Sequence, residues 1–323
     1  KGWKPKDFTP DGKPKVDESI LSTLDYPEAK LLSEHFLIAK RIGMLAEGNN
    51  AWLKLQQDGK IYGSVITNGA NTGRCTHQRP NVAQTPSVSV PYGKECRSLF
   101  TVPDGYVLIG CDASGLELRC LAHYLGAFDE GSFARELLDG DVHSKNQKQI
   151  GLPSRDMAKR VIYGIIYGIG DTRLGSIVEK TSYEGKRIKA KLFETIPALK
   201  ALRDSVLVKT RNQKYLLGLD KRKLIPRSEH SSLNLLIQSC GALIIKMATI
   251  ILHKKLEEKN YDKNICSMVA HIHDELQLQC KSDYANEVGA IAVQSIKDAG
   301  TYFNLRCPLD AEFKIGKTWA DTH

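Results

Sequence analysis

The sequence lacks the usual marks of a disulfide-rich, zinc-binding or membrane-spanning protein. Its eight cysteines form no Cys-x-x-Cys pair and several lie inside apolar runs, which predicts reduced core residues in a cytosolic compartment. The longest apolar stretch, residues 242–252, is interrupted by Lys246 and is too short to span a bilayer. No signal peptide is visible and the first residue is Lys, so we expect a fragment or a processed chain without membrane contact.

The composition is that of a globular protein, with 41% hydrophobic and 26% charged residues among 323. The net charge of +9 is concentrated in residues 155–227, where 18 Lys and Arg face 7 Asp and Glu. Such a segment is either a solvated helical face or a surface for nucleic-acid or nucleotide phosphates. Composition alone leaves both interpretations open.

The order of predicted elements is sheet, helical insertion, then sheet, which indicates an α+β fold. An irregular lead-in precedes helices over residues 26–46, and short antiparallel hairpins follow. A strand over residues 107–111 gives way to a helix, residues 132–208 are mostly helical and basic, and a long helix is predicted over residues 232–259. The basic excess therefore falls mainly in the helical insertion.

The segment MVAHIHDELQLQC, residues 268–280, alternates apolar and polar residues as a strand does. As one continuous strand it places Asp274 in the apolar row, where an ionised carboxylate is costly unless a cation meets it. As a hairpin with arms 268–272 and 276–280, it exposes His-Asp-Glu at the reversal. Asp112 also ends an apolar strand. Two strand-borne carboxylates suit a pair of divalent metal ions, although single aspartates more often cap helices or turns.

Between these aspartates lies RDMAKRVIYGIIYG, residues 155–168. On a helix, Arg155, Lys159, Tyr163 and Tyr167 recur every four residues and project from nearly one side. The stripe offers two cations for a polyphosphate and two rings for a sugar and a base. The alternative is that the aromatic residues belong to the core.

Three motifs in order, DASGLELR (112–119), RDMAKRVIYGIIYG (155–168) and HIHDE (271–275), resemble motifs A, B and C of the family A DNA polymerases. The segments KRIGMLAEG, TGRCTHQRPNVAQTP, GDVHSKNQ and GLDKRK resemble, in the same order, replicative polymerases of short-tailed bacteriophages. The resemblance covers nearly the whole chain. It implies an enzyme, a DNA-directed DNA polymerase that adds dNMP to a primer 3′-hydroxyl and releases pyrophosphate.

The resemblance also implies a right-hand fold with an antiparallel palm sheet, a helical fingers insertion and only the base of the thumb. The expected divisions are 1–47 for the thumb base, 48–124 for the first part of the palm, 125–233 for the fingers and 234–323 for the second part of the palm. Residues 1–100 show no exonuclease motif. We therefore expect weak, distributive synthesis without proofreading.

For the reacting centre, the resemblance implies that Asp112, Asp274, Glu275 and the backbone carbonyl of Ala113 would hold two Mg²⁺ ions, with Mn²⁺ as a substitute. One ion lowers the pKa of the primer 3′-hydroxyl, and the other binds the triphosphate and stabilises pyrophosphate. Lys159 would protonate the leaving pyrophosphate. Metal and substrate would then neutralise Asp274.

The nucleotide site implied by the resemblance lies along the helical stripe. The triphosphate would bind His143, Arg155 and Lys159, while Tyr163 would lie against the deoxyribose. Glu117 would close the space for a ribose 2′-hydroxyl; as an alternative or additional role, it fits a Ser-x-x-Glu capping box with Ser114. Tyr167, with Gly168, would stack near the templating base. Because the family's Tyr version accepts dideoxynucleotides, Tyr163 predicts the same here.

Primer–template DNA is the other expected partner. The residues that match DNA-contacting positions are Arg74, Asn81, Gln84, His230, Asn234, Gln238 and His273. Donors of this kind test the minor-groove acceptors common to correct base pairs. His230 departs from the Arg of many bacterial relatives, and Arg119 is interpreted as a structural palm residue.

Further expectations are a monomer, a processivity factor bound through the missing part of the thumb, and the host-cell cytoplasm as location, with an organelle matrix as the alternative. Three other functions compete. A single-subunit RNA polymerase would not be expected to combine Glu117 with Tyr163, a two-metal nuclease would not need the helical stripe, and a binding module would leave both aspartates without a role.

Overall fold

The structure, a computed structural model, describes residues 3–5 and 8–323. Residues 1, 2, 6 and 7 of the predicted thumb base lie outside the described residues. The chain divides into two compact units, Lys1–Val65 with His77–Thr85, and Ile66–Thr76 with Pro86–His323.

The helices are α1 (Glu18–Leu21), α2 (Pro27–Ile42), α3 (Trp52–Leu55), α4 (Gly93–Ser98), α5 (Leu116–Leu125), α6 (Ser132–Asp139), α7 (Val142–Ile150), α8 (Arg155–Ile166), α9 (Asp171–Ile177), α10 (Ser182–Thr195), α11 (Pro197–Gln213), α12 (Ser232–Glu258) and α13 (Ala285–Tyr302). The strands are β1 (Gln56–Gln57), β2 (Lys60–Ile61), β3 (Ser64–Ile66), β4 (Thr76–Gln78), β5 (Tyr106–Ala113), β6 (Leu216–Leu217), β7 (Lys223–Leu224), β8 (Cys266–Ile272), β9 (Glu275–Lys281) and β10 (Ala311–Gly316).

The first unit contains the predicted helices and the first predicted hairpin. Helix α2 begins at Pro27 and continues as one π-helical turn over Gly43–Glu47. Strands β1 and β2 pair antiparallel through the turn Asp58-Gly59, where both residues have positive φ. Asp-Gly suits this left-handed turn because glycine adopts such a conformation without strain and aspartate tolerates it.

The second unit is built on a four-stranded sheet with the order β10-β5-β9-β8 and antiparallel pairing throughout. The α+β expectation is therefore confirmed. Segment 268–280 is a hairpin, since β8 ends at Ile272, β9 begins at Glu275, and these two residues face each other. His273 occupies the turn with φ +58°. Asp274 consequently lies at the reversal and not in the apolar row.

The sheet buries one face against helices. Cys111 on β5 faces Leu276 on β9, and Ile109 faces Leu278, all fully or almost fully buried. Helix α13 packs across β5 and β10, and α12 packs on α13. Apolar burial of this extent is the main stabilising contribution to such a core, and it fixes the strand ends at which the carboxylates lie.

Helix α12 forms the long apolar element of the second unit. By length and composition, the helical segment Glu229–Glu258 could cross a membrane, which corrects the expectation that the apolar stretch is too short. However, 61% of its most apolar window is buried within the protein, as in the core helix of a folded domain. All eight cysteines are described and free; seven are buried and Cys75 is partly exposed.

The helical insertion is divided into separate helices with defined starts. Helix α8 begins after Ser154, whose side chain accepts a hydrogen bond from the Met157 amide, and α11 begins at Pro197. Gly168 follows α8 with φ +73°, and an added Cβ would lie 2.1 Å from the His230 carbonyl oxygen. Only glycine fits this close approach, so Gly168 sets where the stripe of α8 ends.

Candidate active site

The β5 end and the β8–β9 turn bring Asp112 and Asp274 to the same edge of the sheet. Asp112 faces Glu275 across the β5–β9 pairing, and the amide of Ala113 donates to the Asp274 carbonyl oxygen over 3.2 Å. The third neighbour in this row is Glu312 on β10. The site is therefore dense in carboxylates, and their mutual repulsion needs a counter-charge.

The titration behaviour of the two aspartates reflects this crowding. Partial loss of solvent, with the negative charges of Asp274 and Glu275, raises the pKa of Asp112 to about 7. Loss of solvent also raises the pKa of Asp274, although Arg74 opposes the shift. A cation placed between such carboxylates would favour their ionised forms.

Glu275 differs from its neighbours because its carboxylate is buried and already paired. Its Oε1 accepts hydrogen bonds from Trp319 Nε1 at 2.8 Å and from Gln277, and lies 3.1 Å from His323 Nε2. Burial alone would raise the pKa of Glu275, but the contacts from His323, Gln277 and Trp319 outweigh burial and lower it. Its predicted role as a metal ligand stays a prediction.

This network predicts a pH-dependent contribution to stability. Because the folded pKa of Glu275 lies below its ordinary value of 4.5, the contribution is present above about pH 4.5 and is lost as pH falls through the folded pKa. Glu275→Gln should lower the free energy of unfolding by about 1–3 kcal/mol at pH 7 and reduce its dependence on pH. Urea denaturation at pH 7 and pH 3 measures both effects.

Glu258→Gln serves as the control, because Glu258 is exposed at the end of α12. This variant should keep the pH response of the parent chain. An unchanged pH response in Glu275→Gln would contradict the assigned network.

Glu117, in the first turn of α5, connects that helix to the end of α8. Its Oε1 lies 3.2 Å from Arg74 Nη2, and its Oε2 accepts a hydrogen bond from the Tyr167 hydroxyl at 2.6 Å. The predicted capping box with Ser114 is wrong: α5 begins after Gly115 at φ +60°, with no side-chain cap. Glycine at this position starts the helix, and the Glu117 carboxylate turns toward Arg74 and Tyr167.

The two tyrosines of the stripe lie within reach of the charges of Glu117 and Asp274. The rings of Tyr163 and Tyr167 have centroids 6.3 Å apart, and His143 lies 6.4 Å from Tyr163. Loss of solvent, with the charges of Glu117 and Asp274, raises the pKa of Tyr163 to about 12. The helical stripe and the strand-borne carboxylates therefore form one site.

At the N-terminal end of α8, the side chains of Arg155 and Lys159 are exposed. His143 is buried on α7, and within the described part of the chain its Nδ1 finds no hydrogen-bond partner. Burial, with the positive charges of Arg155 and Lys159, lowers the pKa of His143. The three predicted triphosphate residues thus lie close together.

The predicted DNA contacts are divided between the units. Asn234 and Gln238 lie one turn apart on α12 and are partly buried, and Asn234 Oδ1 finds no partner among the described residues. His273 lies in the hairpin turn near Arg74, and partial loss of solvent and Arg74 lower its pKa. Exposed positions are occupied by Asn81 and Gln84 in the first unit and by His230 in the second.

Sequence reasoning missed Trp319, Gln277 and His323, which surround Glu275. They lie up to 48 residues from Glu275 along the chain, and no local pattern marks them. It also missed Asp141, which bonds Arg155. Arg119, interpreted as structural, donates to the carbonyl oxygens of Ser114 and Pro308.

The described residues contain no group of three or more His, Cys, Asp or Glu arranged to hold a metal ion. Two carboxylates can nevertheless bind Mg²⁺ when substrate phosphates and water supply the other oxygens. The raised pKa of Asp112 beside Asp274 fits such a donor set.

The fold is that of a right-hand polymerase. It is similar to the solved structure described as the POL domain of Pol1 from M. smegmatis in complex with DNA primer-template and dNTP, with a TM-score of 0.84 and 20% sequence identity. The match covers 99% of this chain and 58% of that one.

The family model for DNA polymerase family A matches residues 2–321. The chain belongs to this family. It is 44% identical to the DNA-directed DNA polymerase of Enterobacteria phage T3 and 43% identical to that of Escherichia phage T7, in each case over all of this chain and 50% of the relative. The chain thus spans about half the length of these relatives.

Proposed function

We propose that the chain catalyses template-directed DNA synthesis, adding dNMP to a primer 3′-hydroxyl with release of pyrophosphate. Family membership supports the class of reaction. The observation that supports the site is the position of Tyr163, whose ring centroid lies 6.4 Å from His143 and 6.3 Å from Tyr167, and whose pKa is raised by loss of solvent and by the charges of Glu117 and Asp274. An incoming nucleotide whose sugar lay against the ring of Tyr163 would extend its triphosphate toward Arg155 and would have its reacting phosphate near the carboxylates of Asp112 and Asp274.

Asp112 and Asp274, with the carbonyl of Ala113, would hold the divalent ions of a two-metal reaction, and Glu275 would support them from behind. The ions would supply charge stabilisation at the primer hydroxyl and at the leaving phosphate. The protein's own part is to keep two carboxylates at a rigid strand end and turn. Arg155, Lys159 and His143 would orient the triphosphate, and Lys159 would give a proton to pyrophosphate.

Selection of the sugar would depend on Glu117. The ion pair with Arg74 and the hydrogen bond from Tyr167 hold its carboxylate, whose charge acts on the neighbouring Tyr163. A ribose 2′-hydroxyl would meet this fixed group, whereas a deoxyribose would not. The assignments of palm, fingers and thumb base, primer–template DNA as a partner, a processivity factor, a monomeric state and a host-cytoplasm location belong to the same proposal.

The test is extension of a labelled primer on a DNA template with Mg²⁺ and either dNTPs or rNTPs. Extension with dNTPs alone is the expected result. Extension with rNTPs would favour an RNA polymerase, and binding of primer–template without any extension would favour a binding module.

The hydroxyl of Tyr163 should determine whether dideoxynucleotides are accepted. A ring hydroxyl near the sugar can replace a hydrogen bond that the missing 3′-hydroxyl would make, a contribution of about 0.5–1.5 kcal/mol. Tyr163→Phe should therefore lower the kcat/KM for ddNTPs relative to dNTPs by about two- to tenfold. Single-nucleotide insertion kinetics measure this ratio.

Tyr261→Phe is the matched control, since its hydroxyl bonds Glu287 at the surface. It should leave the ratio unchanged. Equal ratios in the parent chain and Tyr163→Phe would exclude the hydroxyl as the determinant.

A further inference from the structure

The guanidinium of Arg155 is already bonded to a carboxylate of the chain. Its Nε donates to Oδ2 of Asp141 over 2.6 Å, a contact that raises the pKa of Arg155 and lowers that of Asp141. The side chains are 52% and 41% exposed. Exposed ion pairs are weak and exchange readily with water, so another anion can displace this one.

The two oxygens of Asp141 have different partners. Oδ1 accepts hydrogen bonds from the amides of His143 and Ser144 and so caps α7. Oδ2 accepts from the Ser144 hydroxyl at 2.7 Å and from Arg155. The cap holds the carboxylate in place at the start of α7, and the second oxygen faces the start of α8.

The pair lies among the residues assigned to the triphosphate. Burial, together with Arg155 and Lys159, lowers the pKa of His143, while Asp141 opposes the shift. A polyphosphate at these cations would compete with the single carboxylate for the same guanidinium.

We propose that Asp141 is a positioning residue that binds Arg155 between substrates, so that the incoming triphosphate must displace the carboxylate and the carboxylate rebinds as pyrophosphate leaves. This inference rests on the proposed function. Asp141 thereby keeps Arg155 oriented toward the site and limits how tightly the substrate and the product are held.

Asp141→Asn separates the two contacts of Asp141. Asparagine keeps an oxygen for the α7 cap but presents an NH₂ group or a neutral oxygen to Arg155. We expect the variant to bind inorganic tripolyphosphate about two- to fivefold more tightly, the range for release of an exposed ion pair. Calorimetric titration of the whole chain at fixed low salt measures the dissociation constant.

Two further variants make the test specific. Glu136→Gln changes the net charge equally and breaks a neighbouring ion pair, Glu136–Lys145 at 2.5 Å, so it should leave tripolyphosphate binding unchanged. In an Arg155→Gln background, Asp141→Asn should have no effect, because the two residues act through one contact.

In primer extension, Asp141→Asn should lower the KM for dNTPs by the same factor, leave kcat unchanged or lower, and strengthen inhibition by pyrophosphate. Any of three results would overturn the inference. Asp141→Asn could bind tripolyphosphate more weakly than the parent chain, Glu136→Gln could have the same effect as Asp141→Asn, or the effect of Asp141→Asn could persist in the Arg155→Gln background. If the chain extends a primer but the variants do not differ in tripolyphosphate binding as described, this inference fails and the proposed function stands. If the variants differ in tripolyphosphate binding as described but the chain does not extend a primer, the result counts against the proposed function alone.

Discussion

Asp274→Asn should reduce the rate of primer extension at least about a hundredfold, the order expected when one charged group at the reacting atoms is removed. Asparagine has the same shape, so the hairpin turn and primer–template affinity should persist. Asp112→Asn should act similarly. Because the two carboxylates would hold the same ions, the double variant should lose little more than either single variant.

The matched control is Glu312→Gln, which removes an exposed carboxylate from the strand position facing Asp112. Extension should continue at close to the parent rate. Single-turnover extension, with binding measured separately by fluorescence anisotropy, distinguishes a lost reaction from lost binding. Normal extension by Asp274→Asn would exclude this carboxylate from the reacting centre.

Trp319→Ala should destabilise the second unit by about 3–5 kcal/mol, the range for truncating a buried aromatic side chain. The Trp319 ring is 4% exposed, meets Phe100 edge-on at 5.4 Å and lies 4.4 Å beneath the guanidinium of Arg97. Its Nε1 also donates to buried Glu275. The midpoint of urea unfolding, followed by far-ultraviolet circular dichroism, measures the loss.

Two controls divide this effect. Trp319→Phe keeps an aromatic ring but leaves Glu275 without one donor, which costs about 1–3 kcal/mol. Tyr183→Ala removes a ring that is 75% exposed and should change stability by no more than about 0.5 kcal/mol. A small effect of Trp319→Ala would show that the C-terminal turn Trp319–Thr322 does not stabilise the sheet.

The hairpin shows what periodicity can and cannot determine. The alternation in residues 268–280 puts Leu276, Leu278 and Cys280 in one apolar row, and all three are buried. It could not place Asp274, because a two-residue reversal and a continuous strand give the same alternation in each arm. The pairing of Ile272 with Glu275, which is a tertiary contact, distinguishes the hairpin from the continuous strand.

The capping box failed for a related reason. Ser114 and Glu117 have the right spacing, but Glu117 bonds residues 43 and 50 positions away, Arg74 and Tyr167. A local hydrogen bond and a distant ion pair compete for one carboxylate, and only the folded chain shows which forms. Arg155, Lys159 and Tyr163 of the stripe were predictable because their shared side depends on helical geometry alone, whereas Tyr167 follows the end of α8 as its C-cap.

The distribution of thiols has a practical consequence. Seven cysteines are buried and Cys75 alone is partly exposed, next to Arg74, which contacts Glu117. A maleimide dye should therefore modify one position without prior removal of the other cysteines. Such a fluorophore would report, in real time, on events near Glu117, the carboxylate that we propose selects the sugar.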